Sequence, residues 1–144
     1  MTPDVNVLVA AAREDHPHHS IAFKWLSEAS ISSSPQTGLR LMGMVASGFL
    51  RVMTHPKAFA NPASAAHATA YLDSLLARPG VSFLVAQGEW PRLKALCLDL
   101  SLAGNAVPDA WIAACVIQNR ETLVTFDRDF KRLLPPQNLL LLRA

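Results

Sequence analysis

Short runs of Val, Leu and Thr alternate with segments of helical periodicity along nearly the whole chain, and that alternation restricts the fold more than any other feature. Strands separated by helices cannot pair as hairpins. They pair in parallel, in a sheet whose faces the helices cover. Val5 to Ala12, apolar and Val-rich behind Pro3 and Asp4, reads as a buried strand running into a helix. From Ser20 to Ala29, Ile21, Trp25 and Leu26 fall at helical spacing, with Ser20 as the N-cap, and Ser32-Ser33-Ser34-Pro35 is a loop. Leu39 and Leu41 alternate with polar neighbours as a short strand. Met44 to Met53 continues as a helix that Thr54-His55-Pro56 stops, since a residue before proline is pushed out of helical geometry.

Pro62 opens a helix to about Ala77, and Pro79-Gly80 breaks the chain before a strand at Ser82 to Val85. Glu89 to Ala103 is amphipathic through Leu93, Leu96, Leu100 and Leu102, and Gly104-Asn105 ends it. Asp109 caps a helix to about Asn119. Thr122 to Thr125 and Leu139 to Leu142 are the last strands. The expectation is an α/β fold with a central parallel sheet of about four to five strands flanked by helices, in a single domain over residues 1–144.

Composition adds three limits. A hydrophobic share of 51% is high for a chain of this size and implies that part of its apolar surface is covered by a partner or a second copy. The early helices, near Trp25 and Phe49, are the expected place for that patch. A net charge of +2 is small for a dedicated nucleic-acid binder. Cys97 and Cys115 lie in apolar helical surroundings without a flanking base and read as reduced core residues. With no signal peptide and no run long enough to span a bilayer, the expected location is the cytoplasm, with no membrane contact.

Charged residues make up only 17% of the chain, yet acids recur where apolar runs meet loops or helix starts. Asp4 stands in Pro-Asp-Val-Asn-Val, Asp109 in Gly-Asn-Ala-Val-Pro-Asp-Ala, and Asp127 and Asp129 in Thr-Phe-Asp-Arg-Asp-Phe. In open α/β sheets the reactive crevice lies beyond the carboxyl ends of the strands, so neighbouring strands bring such acids together. Carboxylates so gathered repel unless a divalent cation is present, and an all-oxygen set suits Mg²⁺ or Mn²⁺. Each acid also has an ordinary reading. Asp109 serves as an N-cap, Asp127 and Asp129 form a turn with Arg128 and Lys131 as solvent partners, and only Asp4, beside an apolar run, resists one. His16, His18 and His19 read as a solvated helix start. Trp25, Trp90 and Trp111 read as packing, and Arg51, Arg128, Lys131 and Arg132 as candidate phosphate contacts. A Gly-rich phosphate loop followed by Lys and a Gly-x-Ser-x-Gly elbow are both absent.

These motifs, in this order, resemble the PIN-domain ribonucleases of the VapC toxin type. The resemblance rests on Pro-Asp-Val-Asn-Val-Leu, Gly-Phe-Leu-Arg-Val-Met-Thr-His-Pro, Gly-Asn-Ala-Val-Pro-Asp-Ala-Trp-Ile-Ala-Ala and Leu-Val-Thr-Phe-Asp-Arg-Asp-Phe. It implies a small endoribonuclease of a type II toxin–antitoxin pair, acting on RNA with Mg²⁺ or Mn²⁺, held by a VapB-like antitoxin and forming a homodimer. It places the first, third and fourth acids on Asp4, Asp109 and Asp127, with Asp129 close behind and metal on Asp4 and Asp109. Beside these, Asn6 and Thr125 read as further site residues, polar groups that support the ligands. The family's second acid falls at about Ala46, and no acid occurs between Glu28 and Asp73. Two rivals remain. A degenerate PIN domain would bind antitoxin or RNA without cleaving. An aspartyl-phosphate phosphatase would need an acid at position 6, where this chain has Asn.

Overall fold

The computed structural model describes residues 1–31 and 38–143. The loop expected at Ser32 to Pro35 lies outside them. In chain order the elements are β1 (Thr2–Pro3), α1 (Val5–Ala12), α2 (His19–Ile31), β2 (Leu39–Met42), α3 (Gly43–Met53) and α4 (Ala65–Leu76). They continue with β3 (Val81–Leu84), α5 (Trp90–Asp99), α6 (Ala106–Gln118), β4 (Leu123–Thr125) and β5 (Leu139–Leu141), with 3-10 turns at Arg128–Arg132 and Pro136–Asn138. All strand pairs are parallel: β1 on β4, β4 on β5, and β2 on β3. The Arg40 amide donates to the Met1 carbonyl at 2.8 Å, joining the two ladders side by side in the order β3-β2-β1-β4-β5. This is the expected parallel α/β arrangement.

The N-terminal expectation needs correcting. Only Thr2–Pro3 is strand, and Val5 to Ala12 is helix throughout. A continuous apolar run satisfies a buried strand and a fully buried helix equally well. Here the helix wins because neighbours cover most of α1 and leave Val5 and Asn6, which face the groove described below, partly open. Val7, Leu8 and Ala10 are completely buried, and Val9 and Ala11 nearly so, against α2, α3 and β4. The close approach of α3 depends on Gly48, where an added Cβ would come within 2.7 Å of Val5 Cγ2.

Other boundaries shift for local reasons. α2 begins at His19, so Ser20 lies inside it and does not cap it. α4 begins at Ala65, because the Ser64 hydroxyl accepts from the His67 amide at 3.1 Å and so caps that helix. Asp109 is not a cap either: Asn105 holds that position, and Asp109 stands in the first turn of α6. Phe49 is fully buried and Trp25 packs against the core, while Phe23 and Ile31 of the same early helix α2 face solvent. The large apolar side chains that do face solvent include Trp90 and Leu98 of α5, and α5 buries none of its residues. Both thiols are free, and burial pushes Cys115 up to about 11. Among the described residues no helix is long and apolar enough to cross a membrane.

Candidate active site

Asp4 is where strand becomes helix. Its amide donates to the Val124 carbonyl at 2.9 Å, the last rung of the β1–β4 ladder, and its own carbonyl accepts from Val7 and Leu8 to start α1. Its carboxylate then caps the helix, with Oδ1 accepting from the Val5 amide at 2.7 Å. Oδ2 accepts from the Thr125 hydroxyl at 2.6 Å and from Asn6 Nδ2 at 2.8 Å. The Thr125 oxygen in turn accepts from Asn6 Nδ2 at 2.9 Å and from the Asp127 amide at 3.0 Å. Asn6 Oδ1 accepts from the Phe126 amide at 3.3 Å. The carboxyl ends of β1 and β4, 121 residues apart in sequence between Asp4 and Thr125, are thereby sewn together around one buried acid.

Asp4 opens onto a groove of about 1000 Å³ whose lining also includes Asp109 and Asp127. Burial holds Asp4 above the usual carboxylate range. The bonds from Thr125 and Val5 pull it down, and the charge of Asp127 pushes it up. Asp109 is also raised, by burial first and then by Asp4, Asp127 and Asp129. Like charges gathered in this way repel one another unless an opposite charge offsets them. Asp129 does not line the groove and acts on it only through its charge. Its amide donates to Asp127 Oδ1 at 2.8 Å, which turns the chain away.

A carboxylate has about four acceptor positions. Three of those on Asp4 are taken, leaving one for an outside partner. Hydrogen bonding plays no part in the Asp109 shift, and its carboxylate has no donor among the described residues. Mg²⁺ and Mn²⁺ accept such an arrangement, one or two carboxylates with water completing the shell. Among the described residues no three His, Cys, Asp or Glu are grouped closely enough to form a cage on their own. The donor set fits a divalent cation held by two acids and water.

The position assigned to the missing acid also needs correcting. α3 lines the groove through Met44, Ser47, Gly48, Arg51 and Val52, the i, i+3, i+4, i+7 pattern of one helix face. Ala46 is absent from that lining and packs against the core, about 200° round the helix from Met44 at 3.6 residues per turn. An acid would therefore have to stand at Ser47 or Met44 to face Asp109. Sequence reasoning missed three further wall residues: His16, Phe59 and Trp111. Burial lowers His16, with the charge of His18 adding to it. Trp111 Nε1 donates to Glu89 Oε1 at 3.4 Å, so its ring stands at the groove edge and not in the core. No local spacing signals this, because residues two apart in a helix do not share a face.

Residues 1–133 match the PIN domain family. Among characterised relatives, Ribonuclease VapC25 of Mycobacterium tuberculosis is 32% identical over 133 residues, covering 90% of this chain and 89% of that protein. Ribonuclease VapC43 of the same species is 35% identical over 130 residues, covering 90% and 86%. Among solved structures, a chain in the crystal structure of VapBC2 from Rickettsia felis bound to a DNA fragment from their promoter superposes with a TM-score of 0.66. That match covers 96% of this chain and 95% of the other, and at 21% identity it speaks to the fold alone. The chain belongs to the PIN-domain family, among the proteins named VapC.

Proposed function

We propose that this protein is a metal-dependent endoribonuclease toxin of a type II toxin–antitoxin pair. The observation that carries the reading is Asp4, buried yet left with one free acceptor position, facing the same groove as Asp109. Neither rival uses that geometry as well. In the place where a phosphatase needs a second acid, Asn6 spends its amide on Asp4 and Thr125.

Each residue has a task. Asp4 and Asp109 supply the negative charge that holds Mg²⁺ or Mn²⁺. When bound, such an ion lowers the pKa of a coordinated water and neutralises charge growing on a phosphoryl oxygen. Thr125 and Asn6 fix the direction of the Asp4 carboxylate, so that no reorganisation is needed as the reaction proceeds. Asp127, which lines the same groove with its backbone anchored on Thr125, completes the site or orients the attacking water. Arg51, on the groove face of α3, meets the phosphodiester, and Phe59 and Trp111 offer faces on which bases stack. A VapB-like antitoxin would silence the enzyme by covering this groove. A homodimer acting in the cytoplasm is part of the same reading.

The test is incubation of the purified protein with total RNA in Mg²⁺, in Mn²⁺ and in EDTA. Cleavage with either metal, and none in EDTA or with Asp4→Asn, is the expected result. RNA bound but left intact under all three conditions would favour the degenerate PIN domain, the reading that the lack of any acid between Glu28 and Asp73 supports.

A further inference from the structure

Beyond the acidic groove, a second concavity of about 600 Å³ lies on the other side of Phe126. Arg128, Lys131 and Arg143 line it, together with His18, Phe126 and Leu141. The three cations are exposed, and none takes part in an ion pair among the described residues. His18 stacks on Phe126 with ring centroids 4.8 Å apart and planes tilted by 23°. The hollow therefore combines unspent positive charge with a half-buried aromatic shelf, in a chain whose whole net charge is only +2.

Its position is not independent of the groove. Phe126 lines the hollow and Asp127 lines the groove, so the two are one residue apart. The Phe126 amide is tied to Asn6, which is tied to Asp4. Whatever occupies the hollow is held in fixed register with the carboxylates.

We infer that this hollow is a second nucleic-acid subsite, which takes successive backbone phosphates and a base of the single-stranded RNA flanking the position cleaved in the groove. The inference rests on the ribonuclease reading above. Cations track a phosphate backbone, and aromatic rings stack bases without regard to sequence. The acids of the groove repel a phosphate backbone, and the hollow adds three cations that no carboxylate pairs among the described residues to what Arg51 offers in the groove itself. The hollow then supplies binding and register, while the groove supplies chemistry.

The test compares the parent protein with the Arg128→Gln/Lys131→Gln double variant, whose changes are on the surface and spare the core. A labelled single-stranded RNA of about 20 nucleotides, longer than one site, is titrated in EDTA over a range of salt, and cleavage of the same RNA and of a dinucleotide is followed in Mg²⁺. For the variant, Kd for the long RNA is expected to rise about tenfold. The slope of log Kd against log salt should fall by about 1.4, two phosphate contacts at roughly 0.7 each. The KM for long RNA should rise with kcat unchanged, and the dinucleotide, too short to reach the hollow, should be cut equally by both proteins. Phe126→Leu should weaken binding without changing the salt slope. If the parent cleaves RNA while the variant keeps its affinity and slope, the subsite is refuted and the ribonuclease reading stands. If the variant loses antitoxin binding and keeps RNA binding, the hollow is a protein interface and the inference is again refuted. A parent that neither binds nor cuts RNA overturns both.

Discussion

Thr125→Val separates the role of one hydroxyl from that of the space it fills. Valine has nearly the shape of threonine, and Thr125 is completely buried, so packing is kept. What goes is the 2.6 Å hydrogen bond to Asp4 Oδ2 and the oxygen that accepts from Asn6 and the Asp127 amide. A hydrogen bond to an ionised group contributes about 1.5–3 kcal/mol. The Asp127 amide is only partly buried and can turn to water, so a net loss of about 2 kcal/mol is expected at pH 8. For a chain of this length that lowers Tm by about 4–8 °C. The hydroxyl favours the charged form of Asp4, so its removal raises an already raised acid further. The stability gap between parent and variant is therefore widest where Asp4 is ionised, and it narrows as pH falls through the Asp4 titration. Urea denaturation at pH 8 and pH 5 reads both quantities. Cleavage should fall about ten- to hundredfold, in kcat more than in KM, because the ligand is misaimed and not removed. Equal stability at pH 8, or a gap that does not change with pH, would refute the claim that this bond orients an ionised Asp4.

Four other outcomes follow from the same geometry. Asp109→Asn should abolish cleavage yet raise the Tm of the metal-free protein at pH 8, since Asp109 is a raised acid among like charges. The folded-state pKa values of Asp4 and Asp109 both lie above their unfolded values. Their contribution to stability is thus fully present below the unfolded carboxylate range and is lost as pH rises through the folded values, and added Mg²⁺ should restore it in thermal melts at pH 8. Ser47→Glu should tighten Mg²⁺ binding by calorimetry, whereas Ala46→Glu should leave it unchanged and cost stability, because residue 46 packs against the core. Gly48→Ala should destabilise by about 1–3 kcal/mol in urea, as its methyl meets Val5 at 2.7 Å.

The sequence carried its sheet clearly and its first helix poorly. Leu39–Met42, Val81–Leu84, Leu123–Thr125 and Leu139–Leu141 are strands close to where composition placed them, each bounded by turn residues. Val5 to Ala12 misled because, apart from Asn6, the run is apolar and mostly buried, and periodicity then carries little information. Asp109 read as a cap because Asp before an apolar run is common at caps. The cap is in fact Asn105, four residues earlier, and that frees the carboxylate for the groove. Asp4, Asp109 and Asp127 could be picked from sequence since acids are scarce and sit at element ends. Trp111, Phe59 and His16 could not, because which face of an aromatic is wet depends on packing that no local pattern records.

The bond between Asp4 and Thr125 has a consequence in time as well as in space. Its two ends are 121 residues apart, so the site cannot form from any early part of the chain. A ribosome must release nearly the whole protein before β4 can pair with β1, and non-local parallel pairing of this kind is slow. The acidic groove therefore stays unassembled until the chain is nearly complete. A chain broken off anywhere before Thr125 carries Asp4 and even Asp109, but no partner to aim the first of them.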